Sequence, residues 1–150
     1  MRAIPFETAQ YWIERLASLP APVRMEDIPG LAVEFGWQPT KFESRYMYEE
    51  GGETRVVLTP FDDETGEIFS FSVDLVRNWR DDLAGNVAVA DFFPRYVEAA
   101  CGVWGEPWSV MTDITEFIWK IHEQAYAEIG AWRDSVSCRF RKFDGTEERW

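Results

Sequence analysis

The residues of this 150-residue chain best equipped to do chemistry are its carboxylates. Between positions 43 and 67 stand Glu43, Glu49, Glu50, Glu53, Asp62, Asp63, Glu64 and Glu67, against only Arg45 and Arg55, a local net charge of −6. Carboxylates in such numbers can run acid–base hydrolysis, hold calcium or present a negative edge to a cationic partner. Hydrolysis of the glycosidase type needs two acids facing each other in one cleft, whereas these gather in two turn-like stretches at opposite ends of one strand. Calcium needs ligands spread over a loop of about twelve residues closed by a Glu, and Asp62–Glu67 lacks that spacing. A docking edge for Lys and Arg remains, beside the plainer account that Asp, Glu and Gly belong in solvated turns.

Tryptophan is the second excess, with eight in the chain. Trp12 and Trp104 fall on helix faces that should be core, and Trp119 and Trp132 fall in strands. Trp37, Trp79, Trp108 and Trp150 follow helix stops or lie in connecting segments, where partial exposure is expected. Exposed Trp near acids is the material of protein–protein hot spots, although sugar stacking would use the same side chains. The expected partner-binding set is therefore Glu49, Glu50, Glu53, Asp62, Asp63, Glu64 and Glu67 with Trp37, Trp79 and Trp108. No catalytic residue emerges. The lone histidine, His122, has only Glu123 beside it, and the two would point to opposite faces of a strand. Cys101 and Cys138 sit on separate elements and read as buried free thiols, so neither a zinc site nor a disulfide is expected. No Gly-rich loop links a strand to a helix in the phosphate-cradling pattern, so no cofactor is expected.

The balance of 27 acidic against 15 basic residues gives a formal charge of −12, which argues against nucleic acid and anionic membrane as partners. A cationic protein is the natural partner, because opposite net fields raise encounter rates. No apolar run approaches the ~20 residues needed to span a bilayer, and the first residues lack a secretory pattern, so the cytoplasm is the expected compartment.

These residues must be positioned by a small set of elements. Ala9, Trp12, Ile13 and Leu16 mark an N-terminal helix over residues 6–19, stopped by Pro20 and followed by the stiff Pro20-Ala-Pro22 segment. Ile28, Leu31, Ala32 and Phe35 form a helical stripe that ends at Gly36, and the same offsets recur at Val97, Ala100, Cys101 and Trp104 before Gly105. Asp27 and Asp91 are the expected N-caps. A proline follows each stop, Pro39 and Pro107, and each is followed by three strand-like runs. In the first half these are a hairpin through Glu50-Gly-Gly-Glu53 and a strand with Phe69, Phe71, Val73 and Leu75 inward. In the second half they cover residues 115–121, 124–132 and 135–143. The expected architecture is α+β: one domain of tandem helix-plus-three-antiparallel-strand units, residues 25–76 and 90–143, with helices on one face of the sheet. Residues 77–89 read as a polar connector and the tail from Asp144 as frayed. One continuous six-stranded sheet is preferred over two facing sheets.

With Asp27-Ile-Pro-Gly-Leu-Ala-Val-Glu-Phe-Gly-Trp37 early and Val103-Trp-Gly-Glu-Pro107 followed by Phe117-Ile-Trp119 late, the chain resembles domain of unknown function 6301, a family of small actinobacterial proteins. That likeness implies a tandem-repeat α+β protein and carries over no catalytic residue. Small acidic proteins of this kind resemble in turn the immunity proteins of polymorphic-toxin and type VII secretion systems. The expected function is accordingly non-enzymatic binding of a cognate basic toxin domain. The alternatives are an adaptor or chaperone-like secretion component and, further off, a carboxylate-dependent glycosidase.

Overall fold

The computed structural model describes residues 1–20, 23–68, 70–111 and 115–142. Helix α1, Phe6–Ala17, buries Phe6, Ala9, Trp12, Ile13 and Leu16, the stripe expected of its spacing. Its last carbonyls are answered from the far end of the chain: Lys142 Nζ donates to Ala17 O at 2.9 Å and also to Leu19 O. A 3-10 turn, Met25–Asp27, leads into α2, Ile28–Phe35. Asp27 does not cap α2 through its side chain, because that carboxylate instead accepts the Arg24 amide at 3.0 Å and closes the 3-10 turn.

Gly36 follows at φ 78°, a left-handed conformation that a side chain would disfavour. The reversal lets the Trp37 amide reach back to Ala32 O at 2.8 Å and swings the indole under the helices. Trp37 is only 2% exposed, which corrects its placement among partner-binding residues. Its ring lies 5.5 Å from Trp12 and stacks on Phe71 at 5.4 Å, with the planes 6° apart.

Four strands follow: β1, Gln38–Pro39; β2, Arg45–Glu50; β3, Glu53–Leu58; and β4, Phe71–Arg77. The segment read as a polar connector holds a helix, α3, Leu83–Ala90, whose first turn is capped by Asp82 accepting the Gly85 amide at 2.9 Å. Helix α4, Phe92–Trp104, is separated from α3 by Asp91 alone, which already has helical angles and supplies no side-chain cap. A second set of four strands completes the chain: β5, Ser109–Met111; β6, Glu116–His122; β7, Ala125–Ala131; and β8, Ser135–Lys142.

All eight strands form one antiparallel sheet in the order β1-β2-β3-β4-β8-β7-β6-β5. The order is mirrored about the β4–β8 seam, where Phe71 pairs with Phe140 and Val73 with Cys138. The expected continuous sheet thus gains one short strand at each edge, where Pro39, lacking an amide hydrogen, holds β1 to two residues. Helices α1, α2 and α4 join the inward residues of the sheet in a single core. On the other face Thr54, Val56, Leu58, Ser72, Asp74, Ser137 and Arg139 alternate outward, half-buried or exposed. No helix among the described residues is long and apolar enough to cross a membrane. The expectations at Ala21, Pro22, Phe69, Phe143 and the tail with Trp150 lie outside the described residues.

Replacing Trp37 by Ala removes the ring wedged between Trp12 and Phe71 and is expected to cost about 3–5 kcal/mol. Urea denaturation should report that loss, against a change within about 0.5 kcal/mol for Trp79→Ala on the surface.

Candidate functional site

Strand alternation divides the acidic cluster before any partner can meet it. Tyr48, Glu50, Glu53 and Arg55 share the helix side of the β2–β3 hairpin, while Glu49 points to the open side. Glu50 accepts the Tyr48 hydroxyl at 3.0 Å, and burial together with that bond pushes the phenol up to about 12. Glu53 is partly buried, which works to raise its pKa. The Arg2 amide, the Met1 amine at 3.0 Å and the Arg55 guanidinium at 2.9 Å outweigh burial and hold the carboxyl down at about 2. Arg55 itself is 1% exposed and also donates to Arg2 O, so this acid–base group fastens the first residues of the chain to the sheet.

The second turn is built the same way. Asp62 Oδ1 accepts the amides of Glu64 and Thr65 at 2.8 and 3.1 Å, closing the turn on itself. Glu67 forms an antiparallel bridge with Arg24, whose guanidinium donates to Thr65 O at 2.8 Å. Asp63 and Glu64 are exposed. The solvent-facing acids of the cluster are therefore Glu49 at one end of β3 and Glu43, Asp63 and Glu64 at the other, separated by the length of β3, about 20 Å. The structure does not bring them into one patch.

It does bring Glu53 and Trp79 together. Both line a cleft of about 450 Å³ with Met1, Arg77, Asn78, Arg80, Asp82 and Gly85. Trp79 is 61% exposed, and the Arg77 guanidinium lies over its ring, 4.6 Å from the centroid. Arg77 is held in turn by Asp74 at 2.8 Å and Asp134 at 3.6 Å, which fixes the cation under the indole. The floor is rigid because Asn78, buried, donates to Asp82 and to Asn86 Oδ1 at 2.9 Å. Asp81, at φ 51°, adds a clamp by accepting from Asn86 at 2.8 Å and from Arg133 at 3.0 Å. A second groove of about 280 Å³ lies across the β4–β8 seam on the open face, lined by Val56, Leu58, Ser72, Asp74, Arg77, Trp132, Ser137 and Arg139. Arg77 lines both spaces. Trp108, 50% exposed, stands elsewhere, its ring 5.3 Å from that of Tyr126.

A family model described as a family of unknown function, DUF6301, matches residues 7–142. The chain belongs to this family. No curated protein and no solved structure matches it. What this DUF6301 chain can do must therefore be argued from its own side chains.

Carboxylate hydrolysis requires one acid kept protonated near neutrality beside one that is ionised. Glu53 and Asp82 share the cleft, but donors surround both. The Gly85 amide, and after it Asn78, hold Asp82 below the usual carboxylate range, as the Arg2 amide and its neighbours hold Glu53. Both are anions at pH 7. Glu128 is the opposite case: burial pushes its carboxyl up against the pull of Arg139. It lies on β7 and does not line the cleft. Among the described residues no group of three or more His, Cys, Asp or Glu side chains could hold a metal ion. His122 is exposed at the end of β6, and Cys138 is a buried free thiol. The arrangement favours binding through aromatic faces and fixed charges.

Sequence reasoning passed over Arg77, Asn78, Asp82, Trp132 and the apolar helix α3. The signal at α3 was present as Asp82 followed by Leu83, Ala84, Val87, Ala88, Val89 and Ala90, a capping residue before an uncharged apolar run.

Two outcomes check this description. A methyl group at Gly85 would lie 2.3 Å from Asn78 Nδ2 and 2.6 Å from Asp82 Oδ1, so Gly85→Ala is expected to cost about 1–3 kcal/mol in chemical denaturation. Glu53, depressed from 4.5 to about 2, contributes stability that is complete above pH 4.5 and is lost as pH falls toward 2. Glu53→Gln should therefore lower the melting temperature at pH 7 and flatten its decline across that acid window, as read by a calorimetric pH series.

Proposed function

We propose that this protein works by binding another protein, without bond-making chemistry of its own, and that the partner is cationic. The observation that supports this most directly is the exposure of three tryptophans, Trp79 at 61%, Trp108 at 50% and Trp132 at 47%, on a body carrying a net charge of −12. Indole rings left in water lower solubility unless a partner covers them, and they are enriched where interface energy concentrates. The negative field supplies long-range attraction to a basic surface, and the rings supply short-range burial. Within that class the finer reading is an immunity protein that occludes a basic toxin domain. Its support is the combination of an acidic body, rigid aromatic contacts and carboxylates already committed to structural bonds.

An adaptor that captures substrates by adding a strand to the sheet draws little support from the edges. Among the described residues strand β1 offers two, one of them Pro39, and β5 offers three, a short template for strand addition.

Mixing the purified chain with the product of the adjacent gene should give a one-to-one complex at about 20 mM salt, weakened about tenfold or more at about 500 mM. Co-expression should protect cells from that product if it is a toxin. Failure to form any complex at low salt would remove the binding reading.

A further inference from the structure

We infer that helix α3 is the apolar anchor of the interface with the basic partner; this rests on the binding reading above and names the surface that carries it. A surface helix normally turns its apolar residues inward and leaves charge outside. Helix α3 does the reverse. Of its residues Leu83–Ala90, only Val89 is fully buried, while Leu83 is 81% exposed, Val87 is 57% exposed, and Ala84, Ala88 and Ala90 are exposed as well. Gly85 and Val89 face inward, the former against Asn78, so Leu83 and Val87, one turn apart, share the outward side. The helix carries no charged residue in a chain where 28% of residues are charged.

Propensity and the packing of Val89 alone do not account for this helix. Eight residues is too short to be stable alone, and of its side chains Val89 is the one fully buried, where the helix packs on β8 and α4. The rest of its support is a set of polar bonds at its N-terminus: Asp82 accepting the Gly85 amide, Asn78 donating to Asp82 and Asn86, and Asp81 joining Asn86 to Arg133 on the β7–β8 turn. The scaffold thus fixes an apolar ridge in place without covering it, while Gly85 on the helix's inner side lines the cleft that holds Trp79. Rigid presentation lowers the entropy lost on docking.

Charge selects the occupant. A second copy of this chain would bring two bodies of −12 together over a helix that contributes no cation to offset the repulsion, whereas a basic protein gains attraction as the same ridge is buried. The occupant is therefore a basic protein with an apolar groove wide enough for one helix turn.

The test places benzoylphenylalanine at position 83, 87, 33 or 64, one at a time, in cells making the full chain. Val33 serves as a control because it is 82% exposed on α2, and Glu64 because it lies in the second acidic turn. The cross-linked protein is then purified and titrated by calorimetry against the wild type and Leu83→Asp. An Asp in the first turn of a helix favours the fold, and it would tighten a purely electrostatic complex with a basic protein. The expected result is an adduct at 83 and 87 with a protein of positive net charge, re-formed from the two purified components and weakened about tenfold or more by Leu83→Asp. An adduct with a second copy of this chain overturns the inference. So does a basic partner captured only at 33 or 64, or one bound as tightly by Leu83→Asp, and the binding reading then survives. No adduct at any of the four positions, with no complex in the adjacent-gene experiment, removes both.

Discussion

The structure depends on one aromatic contact, the indole of Trp37 wedged between Trp12 on α1 and Phe71 on β4. The helices cover one face of the sheet and bury its main core there, while on the other face Ile118, Tyr126 and Glu128 are buried as well. Trp12 also lies 4.8 Å from Tyr48 and 6.2 Å from Phe35, so one ring joins α1, α2, β2 and β4. The second half repeats the solution with Trp104, 5.9 Å from Trp119 and 5.4 Å from Phe6. Helix α1 therefore packs against both halves and holds them to one sheet.

Once the helices occupy one face, the chemistry left to the molecule lies on the other face and at the ends. Many ionisable groups on either face are consumed in construction. Glu53 and Arg55 anchor the first residues, Asp62 closes a turn, Asp81 and Asp82 fix α3, and Lys142 terminates α1. Such groups are saturated with donors or acceptors, and a saturated carboxylate is a poor proton-transfer agent. Apolar and aromatic residues left largely in solvent include Trp79, Trp132, Leu83 and Val87. Membership of the DUF6301 family adds the fold's extent to this picture and leaves its chemistry to be argued from these side chains.

Much of the architecture was legible in the residue pattern. The stripe Ala9, Trp12, Ile13, Leu16 marked α1, the repeat of its offsets before Gly36 and Gly105 marked α2 and α4, and two-residue alternation marked β4 and β8. Helix α3 was obscured because Gly85 and Asn86 resemble a turn in isolation. Only the packing of Gly85 against Asn78 shows why a side chain is absent there. The site was less legible, since nearness in sequence put Glu49, Glu50 and Glu53 in one group that the pleat then divides between two faces.

Sequence alone determined the quantities that depend on composition and short-range periodicity: net charge, the α+β class, and most helix and strand spans. Tertiary structure decided which groups are free to act. The left-handed turn at Gly36 drew Trp37 into the core, and the β4–β8 pairing placed Arg77 between the two cavities, beneath Trp79. Exposure and protonation depend on neighbours distant along the chain, as with Glu53 beside Met1 and Arg133 beside Asp81, and such contacts have no local signature.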